Sequence, residues 1–586
     1  MDDSLPLNTV ADYAVALVTA LGSDTAFCLT GGMAMHLNRA VAEQPGLRAI
    51  YCQHEQAAVA AAEGYAKASD FRRAGFAVVT AGPGVSNSVT ALLSANGDST
   101  PLIVLAGQIK TEDINPFGVR THGNQEIPSQ ALITPCVKHF ARLGFDDFRA
   151  SLIAAIVQAL EGRPGVAFIE IPLDVQGSRT NLGHADVEAD AKAVLEIVDR
   201  RCDGTGASDL ATAFERLLAS PRPLLYVGNG CRIAGVAAEV RQFIEATGCP
   251  SVFSWLSFDI LPGEHPQHFG CPGGFAPISA NRILGGASDI LFLGARLDLG
   301  TTAFQRDDFG GQATRTFVDV DAKELSKFGC SGRSLRLQAD LRVLRQMTLP
   351  TDRVDPAWSA WCERERSEGQ REEVRRLGND RLSLYHIAGA LSAQTAGKVV
   401  VPASSGYAEE TLTRFFRPAP ESRFFNGASL GAMGVGLPMA IGAALGSPRR
   451  VFCVDADGGV MLNIQELSTL KTLNTPGFVL FILNNDGYEA IRSSQQRHFG
   501  AVFGADPESG LFIPDFAALS AAFQLKHVRI ASQADLAGFL DAYGEDDPPV
   551  VAELVIERSE PRGPGVKTVI QPDGRPVTTP LAEIDW

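Results

Sequence analysis

The chain has 586 residues, of which 45% are hydrophobic and 20% are charged, and this balance excludes extended disorder. Its length predicts three or four domains. The formal net charge of −16 argues against general binding to nucleic acid or to anionic membranes, because both need a basic surface. The 58 glycines follow no collagen period and therefore predict many specialised turns and close backbone contacts.

Short apolar runs that end near glycine or aspartate recur along the whole chain. They are nearly continuous in Val, Ile, Leu and Phe, which is typical of parallel strands buried on both faces. The runs are 76–80, 102–106, 166–171, 224–227, 290–293, 317–320, 399–401, 451–454 and 478–483. Segments of helical length at 85–95, 207–219 and 463–473 lie between them. This alternation predicts an α/β fold with three doubly wound parallel-sheet domains.

Two polar stretches interrupt the alternation, and we interpret both as domain connections. The first is 176–192; the second, 353–381, carries Glu and Arg at the spacing of ion pairs on a solvated helix. The domains predicted from these breaks are 1–180, 190–350 and 375–556, followed by a tail, 557–586. The tail is rich in glycine and proline, and we expect it to run over a surface.

Two features could be mistaken for signs of secretion or of a membrane protein. The ten cysteines form no CxxC pair, so we interpret them as reduced thiols of a cytoplasmic protein rather than as a disulfide or zinc framework. The stretch 426–448 has 23 residues without a charge, but its six glycines and Pro438 indicate a buried loop and helix. The first residues contain neither a basic region nor an apolar core, and we expect no secretory signal.

The clearest chemical motif follows two consecutive apolar runs. The first run precedes Asp455-Ala456-Asp457-Gly458-Gly459, and the second precedes Asn484-Asn485-Asp486-Gly487-Tyr488. If the two strands are neighbours, their carboxyl ends lie side by side, where open α/β sheets bind ligands. Asp457, the Asn485 side chain and a backbone carbonyl near Gly487 would then offer oxygen ligands to Mg²⁺. Gly458 and Gly459 would let helix amides approach a diphosphate. An ordinary α/β turn with a capping aspartate is the simpler alternative.

This motif resembles the diphosphate signature of the thiamine-diphosphate enzymes, specifically the acetolactate synthase and pyruvate oxidase superfamily. Their signature reads Gly-Asp-Gly and later Asn-Asn; here Ala456 replaces the first glycine. The resemblance implies thiamine diphosphate and Mg²⁺ as cofactors. It also implies that the three domains are, in order, pyrimidine-binding, central and Rossmann-like, and diphosphate-binding.

A second segment resembles the helix that activates the cofactor in this superfamily. It begins at His54-Glu55-Gln56 and continues through small residues to Ala66. Taken alone, Glu55 would be interpreted as a carboxylate on a helix surface. The resemblance implies instead that Glu55 hydrogen-bonds the aminopyrimidine N1′ and promotes the tautomer whose 4′-nitrogen deprotonates the thiazolium C2.

Glycine-rich turns of the same superfamily have counterparts elsewhere in the chain. The turn at 30–32 resembles its first glycine loop, and 80–87 resembles its Gly-Pro-Gly turn. In the segment 431–438, Met433 would wedge between the two cofactor rings, although a lone methionine is usually core filler. The cofactor-binding residues implied by the resemblance are Gly31, Gly32, Gly82, Ser404, Ser405, Gly431, Met433, Asp457, Gly458, Gly459, Asn485, Gly487 and Tyr488.

The residues expected near the substrate depart from the better-known members. Gln125 resembles a glutamine that faces the reacting carbons in acetolactate synthases, but Asn124 replaces the usual preceding aromatic residue. His122 is not part of the His-His pair found in pyruvate decarboxylases, and the segment 489–496 lacks the tryptophan of acetolactate synthases. Gln125, His122 and Gln495 are the candidates for handling substrate. The departures favour a branch linked to branched-sugar or surface-polysaccharide synthesis, which adds a two-carbon acyl unit to a ketone.

Taken together, the resemblance implies an enzyme that decarboxylates a 2-keto acid such as pyruvate and transfers the acyl unit to a carbonyl acceptor. Two alternatives stay open: cleavage of a 2-hydroxyacyl-CoA, and a regulatory homologue that binds the cofactor without turnover. FAD is one option for the central domain, and a glycine-rich turn without ligand is the other. The resemblance further implies that Glu55 and Asp457 meet across a subunit interface, in a homodimer or homotetramer.

Overall fold

The computed structural model describes residues 7–200, 206–328, 333–378 and 381–560, and 563, 565, 566 and 568–584 of the tail. Three parallel sheets follow one another along these residues, with six, five and six strands. Each sheet is covered by helices on both faces. The predicted α/β class with three doubly wound parallel-sheet domains is therefore confirmed.

The N-terminal sheet has the strand order β2-β1-β3-β4-β6-β5. Its elements are α1 (Val10–Ala20), β1 (Thr25–Cys28), α2 (Met35–Glu43), β2 (Arg48–Tyr51), α3 (Glu55–Ala68), β3 (Gly75–Val79), α4 (Pro83–Gly97), β4 (Leu102–Gln108), α5 (Ser129–Ile133), β5 (His139–Arg142), α6 (Phe148–Leu160), β6 (Val166–Pro172), α7 (Leu173–Gly177) and α8 (His184–Arg200). Helices α1, α2, α6 and α8 cover one face, and α3 and α4 cover the other. Strands β3, β4 and β6 are buried throughout, which explains their continuous apolar sequences.

The central sheet has the order β11-β10-β9-β7-β8. Its elements are α9 (Ala207–Ala219), β7 (Pro223–Val227), α10 (Gly230–Ile233), α11 (Ala237–Thr247), β8 (Ser251–Phe253), α12 (Ile278–Gly286), β9 (Asp289–Leu293), β10 (Thr314–Asp319), α13 (Ala322–Leu325), β11 (Ser334–Gln338) and α14 (Pro356–Leu377). Helices α9 and α11 pack on one face, and α12 and α14 pack on the other.

The C-terminal sheet has the order β13-β12-β14-β15-β17-β16. Its elements are α15 (Leu384–Gln394), β12 (Val399–Pro402), α16 (Gly406–Phe415), β13 (Arg423–Phe424), α17 (Gly436–Gly446), β14 (Val451–Ala456), α18 (Asp457–Val460), α19 (Glu466–Leu473), β15 (Val479–Asn484), α20 (Glu489–Phe499), α21 (Phe516–Ala522), β16 (Lys526–Ile530), α22 (Gln533–Ala542) and β17 (Val550–Val555). The described part of the tail adds the antiparallel pair β18 (Thr568–Ile570) and β19 (Pro576–Thr578).

Three segments differ from the sequence expectations. The stretch 176–192 is more than a connection, because α8 packs on α1 and α6 through the apolar stripe Val187, Ala191 and Val194. The second connection is the predicted solvated helix, α14, but its Trp358 indole also donates to the Pro223 carbonyl of the central domain at 2.8 Å. The predicted helix 463–473 begins only at Glu466, after a 3₁₀ turn at Met461–Asn463.

The uncharged stretch 426–448 is a loop followed by α17, as predicted. No helix among the described residues is long and apolar enough to cross a membrane. The eight described cysteines are buried free thiols, whereas Cys202 and Cys330 lie outside the described residues. In the tail, Leu581 and Ile584 pack into the central-domain core beside α12, so this part of the tail runs over the central domain.

Helices α3 and α17 join the N-terminal and C-terminal domains through close backbone contact. An added Cβ on Gly442 would lie 1.8 Å from the Ala61 carbonyl oxygen, and one on Gly64 would lie 2.0 Å from that of Met439. Neither carbonyl can move without shifting its helix. The glycines of these two helices are therefore required where the backbones meet.

This contact predicts that Gly442→Ala destabilises the protein, by about 1–3 kcal/mol or more, because the added methyl group forces the two helices apart. Gly389→Ala is the matched control, since Gly389 lies in α15 with no other atom within 4 Å of an added Cβ. Alanine there should raise stability by up to about 1 kcal/mol through helix propensity. Thermal unfolding of both variants tests the prediction, and equal melting temperatures would contradict it.

Candidate active site

The two chemical motifs of the C-terminal domain lie beside each other. Strands β14 and β15 are parallel neighbours, with Ala456 in register with Leu483. Asp457 follows the first strand directly, and Asn485 follows the second. The sequence expectation that both strand ends lie at one edge of the sheet is met, and this edge is where open α/β sheets bind ligands.

Asp457 is fully buried at this edge and accepts three backbone hydrogen bonds. Its Oδ1 accepts from the Gly458 amide at 2.6 Å, and its Oδ2 accepts from the amides of Gly487 at 2.9 Å and Asn485 at 3.2 Å. Burial raises the pKa of Asp457 to about 6, and the three amide bonds oppose that rise. The carboxylate is therefore fixed in orientation and joins the two strand ends.

Asn485 supplies a second oxygen whose hydrogen-bonding capacity is unused. Its side-chain Oδ1 is buried and has no hydrogen-bond partner among the described residues. A buried, unpartnered amide oxygen next to a buried carboxylate is the kind of donor set that Mg²⁺ takes, with water and phosphate completing the coordination. Asp457 and Asn485 therefore fit one hard cation held by mixed oxygen ligands. Over the described part of the chain, no group of three or more His, Cys, Asp or Glu side chains could hold a metal.

Tyr488 and three glycines make this edge compact. A Cβ on Gly458 would lie 2.1 Å from the Tyr488 ring, and one on Gly459 would lie 2.4 Å from Asp455 Oδ1. Gly487 has φ +131° and would bring a Cβ to 2.2 Å from the Ala505 carbonyl oxygen. Side chains are thus excluded where the backbone surrounds Asp457.

Two further loops of the C-terminal domain contact each other: the loop at Ser404 and the loop that contains Gly427 and Gly431. The Ser404 hydroxyl accepts from the Gly427 amide at 2.9 Å, and a Cβ on Gly431 would lie 3.3 Å from the Ser404 carbonyl oxygen. Ser405 caps α16 without a side-chain hydrogen bond to the helix. Met433 is half-buried in the turn before α17, flanked by the left-handed glycines 431 and 434. The predicted diphosphate serines and the predicted ring-wedging methionine therefore lie on neighbouring loops.

Glu55 is the first residue of α3 and is buried, so it is not a carboxylate on a helix surface. The Asn87 amide donates to its Oε2 at 3.0 Å. Gly84 lies against it, because an added Cβ would be 3.3 Å from Glu55 Oε1. The sequence did not single out Asn87, although it lies in the Gly-Pro-Gly segment one helical turn after Pro83.

Two of the predicted N-terminal glycines, Gly31 and Gly82, lie against the Thr80 side chain and the Gln125 backbone respectively. A Cβ on Gly31 would lie 2.5 Å from the Thr80 side chain, and one on Gly82 would lie 2.5 Å from the Gln125 carbonyl oxygen. Gly82 and Gln125 both have positive φ, at +65°. Gly32 begins a 3₁₀ turn and has no atom within 4 Å of an added Cβ.

Two weaker substrate candidates are not brought to Glu55 or Gln125 by the described contacts. His122 is exposed, and its ring packs edge-on against Phe117 at 5.4 Å. Gln495 exchanges two hydrogen bonds with the Phe503 backbone, so its amide holds the loop after α20. Sequence spacing could not detect either arrangement, because both depend on loop geometry.

A cavity of about 540 Å³ lies at the carboxyl ends of the central strands, and residues of the N-terminal domain (97–99) and of the C-terminal domain (428–429) also line it. Arg296 and Asp298 line it beside Asn229 and Gly230. The Trp255 Nε1 and Asn229 Oδ1 atoms are buried and have no hydrogen-bond partner in the described structure, and both residues line the cavity. The cavity therefore has the volume and unused polar groups of a small-molecule site.

The chain matches three family descriptions in the same order as its three sheets. Residues 8–133 match "Thiamine pyrophosphate enzyme, N-terminal TPP binding domain", 210–344 match the central domain, and 404–554 match the C-terminal TPP binding domain. Together these ranges cover more than two thirds of the chain.

Three relatives that align with 94% of this chain are all named as acetolactate synthases. The chain is 29% identical over 572 residues to "Probable acetolactate synthase 2, chloroplastic" of Oryza sativa subsp. japonica, covering 94% of this chain and 83% of the relative. It is 27% identical over 555 residues to "Acetolactate synthase isozyme 2 large subunit" of Escherichia coli (strain K12), covering 94% and 96%. It is 26% identical over 565 residues to "Acetolactate synthase, chloroplastic" of Arabidopsis thaliana, covering 94% and 82%. The chain belongs to the thiamine pyrophosphate enzymes, as an acetolactate synthase-like enzyme that forms carbon–carbon bonds.

Proposed function

We propose that this enzyme decarboxylates a 2-keto acid, with pyruvate as the first candidate, and transfers the acyl unit to an acceptor carbonyl. The observation that carries the proposal is the buried pair of Asp457 and the unpartnered Asn485 Oδ1 at adjacent strand ends. When bound, thiamine diphosphate supplies a nucleophilic carbon that accommodates the negative charge left by loss of CO₂.

In this proposal the C-terminal domain holds the cofactor and its metal. Asp457, Asn485 Oδ1 and the backbone at Gly487 would bind Mg²⁺, which neutralises the diphosphate without a basic surface. Met433 would support the cofactor rings. The residues proposed to contact the diphosphate and its surroundings are Ser404, Ser405, Gly431, Gly458, Gly459 and Tyr488.

The N-terminal domain would supply the proton chemistry. The Glu55 carboxylate would exchange a proton with N1′ of the aminopyrimidine, and the Asn87 amide would hold that carboxylate in place. Gly31, Gly32 and Gly82 would let the backbone approach the ring. Gln125 lies against Gly82 and would contact the reacting substrate.

The two halves of one active site, Glu55 with the N-terminal glycines and Asp457 with the C-terminal loops, would come from different subunits, although α3 and α17 also join the two domains within one chain. Hydrogen bonds hold Glu55 and Asp457 each within its own domain, and none of those described joins the two residues. Exposed leucines flank both halves: Leu93 is on α4, and Leu430 and Leu462 adjoin the C-terminal loops. Exposed apolar side chains on both halves support a homodimer or a homotetramer.

Mixing two inactive variants tests this interface. Chains carrying Glu55→Gln and chains carrying Asp457→Ala are unfolded together and refolded. A site shared between subunits predicts recovery of about one quarter of wild-type activity, because half of the dimers would be mixed and each would keep one intact site. Activity no higher than that of either variant alone would contradict the shared site.

The acceptor distinguishes two candidate reactions, acetolactate synthesis and acyl transfer to a keto sugar. Asn124 and the missing tryptophan in 489–496 support an acceptor other than a second 2-keto acid, such as a keto sugar. The test is product analysis after incubation with pyruvate and a panel of aldehydes, ketones and keto sugars. Acetolactate as the preferred product supports acetolactate synthesis, a branched sugar supports the second candidate, and no coupled product with any acceptor contradicts both.

We also propose that FAD or another nucleotide occupies the cavity at the carboxyl ends of the central strands, where Trp255 Nε1 and Asn229 Oδ1 have no hydrogen-bond partner among the described residues. The purified protein should then show flavin absorbance or release a nucleotide on denaturation. A protein with neither would contradict an obligatory nucleotide. Cleavage of a 2-hydroxyacyl-CoA would instead require CoA to bind there.

A further inference from the structure

Glu466 links the C-terminal domain to the backbone just before Glu55. It is the first residue of α19 and is almost completely buried. Its Oε1 accepts from the Gln53 amide at 2.9 Å. The Thr469 hydroxyl donates to Oε2 at 2.6 Å. A carboxylate of one domain thus accepts a backbone amide two residues before Glu55, the first residue of α3 in the other domain.

No lysine or arginine pairs with Glu466 among the described residues. Burial raises the pKa of its carboxyl group, and hydrogen bonds from Thr469 and Gln53 oppose that rise. The Gln53 amide and the Thr469 hydroxyl are therefore the partners of a buried carboxylate. Bonds of this kind are short and strong, and each loses its acceptor if Glu466 is removed.

The same short segment also contacts the loop that carries Met433. Asn463, three residues before Glu466, donates from Nδ2 to the Gly434 carbonyl at 2.7 Å. Leu462 packs against Gly434, where an added Cβ would lie 2.5 Å from it. The segment 457–466 therefore begins at Asp457, contacts the turn beside Met433 and ends at the backbone preceding Glu55.

We propose that Glu466 and Asn463 are positioning residues: Glu466 fixes the first turn of α3, and with it the Glu55 carboxylate, while Asn463 fixes the turn that carries Met433. The inference rests on the proposed function, because it takes Glu55 and Met433 as the residues that act on the cofactor. In this proposal the segment 457–466 positions two groups that lie on other elements: Glu55 on α3 and Met433 in the turn before α17.

The test compares Glu466→Ala with Glu466→Gln in the full chain without added cofactor. The first readout is hydrogen–deuterium exchange of the peptide that covers residues 50–58. Alanine should speed exchange at residue 53 by about tenfold or more, because the Gln53 amide loses a charged acceptor. Glutamine keeps an acceptor oxygen without the charge, so its exchange rate should fall between alanine and wild type.

The second readout separates kcat from KM. With cofactor and 2-keto acid added, Glu466→Ala should lower kcat about 10- to 100-fold and leave KM nearly unchanged, because Glu466 is buried and would not contact the substrate. The matched control is Glu373→Gln, which alters a different buried carboxylate that lies on α14. It should change neither the exchange at 50–58 nor kcat.

Three results would overturn the proposal: unchanged exchange at residue 53, faster exchange spread equally over the chain, or an unchanged kcat despite faster local exchange. If the alanine variant does not fold, the exchange of the glutamine variant decides. The exchange readout needs no keto acid. Faster exchange in a protein that turns over no 2-keto acid would therefore support the contact to α3 and contradict the proposed reaction.

Discussion

Replacing Asp457 with alanine is expected to abolish metal-dependent binding of thiamine diphosphate, and with it all turnover. The affinity for Mg²⁺ and cofactor should fall at least about 100-fold, since loss of a residue that only supports a metal ligand already costs about 10- to 100-fold. The variant also leaves the amides of Gly458, Asn485 and Gly487 without their acceptor. Stability should therefore fall by about 1–3 kcal/mol.

Asp457→Asn separates these two effects. The asparagine oxygen can still accept from the Asn485 and Gly487 amides, but its nitrogen cannot accept from Gly458. Stability should therefore fall less than in the alanine variant, while the charge that attracts Mg²⁺ is lost. Calorimetric titration with Mg²⁺ and thiamine diphosphate measures affinity, and thermal unfolding measures stability. Wild-type affinity in a folded Asp457→Asn protein would show that this carboxylate is not the metal ligand.

Replacing Glu55 with glutamine is expected to lower turnover by about 100- to 10,000-fold, the range that a positioned acid–base group contributes. Glutamine matches the size of glutamate and can still accept the hydrogen bond from Asn87. It cannot exchange a proton with the aminopyrimidine. Binding of thiamine diphosphate and stability should therefore change little.

The direct readout is the rate at which the C2 proton of bound thiamine diphosphate exchanges with solvent. We expect this rate to fall together with kcat. The activating role of Glu55 would be excluded by a Glu55→Gln protein that keeps full turnover and normal C2 exchange.

Strands buried on both faces were the most predictable part of the fold. Each of the nine apolar runs is a strand, because a strand covered on both sides needs apolar residues at consecutive positions. The nine runs do not include the buried inner strands β1 and β17, nor the edge strands. Strand β11 is largely exposed and β16 is mixed, so their sequences resemble loops. Helix α8 was taken for a connection because its apolar stripe is only three residues long.

The candidate site was predictable where its residues share a local motif. Asp457 and Asn485 follow consecutive strands, and strand register alone places them side by side. Glu466 was not predictable, because its bond to Gln53 joins residues 413 positions apart and depends on how two domains pack. His122 and Gln495 were chosen as substrate candidates from the family resemblance. Their contacts, however, depend on local loop geometry, which the sequence does not reveal.

The most direct test of the proposed function is release of CO₂ from pyruvate labelled at C1, measured with and without thiamine diphosphate and Mg²⁺. Labelled CO₂ should appear only when both are present, and the remaining two carbons should be recovered in a larger coupled product. Absence of labelled CO₂ from pyruvate and from every other 2-keto acid tested, in protein shown to bind the cofactor, would contradict the proposed function.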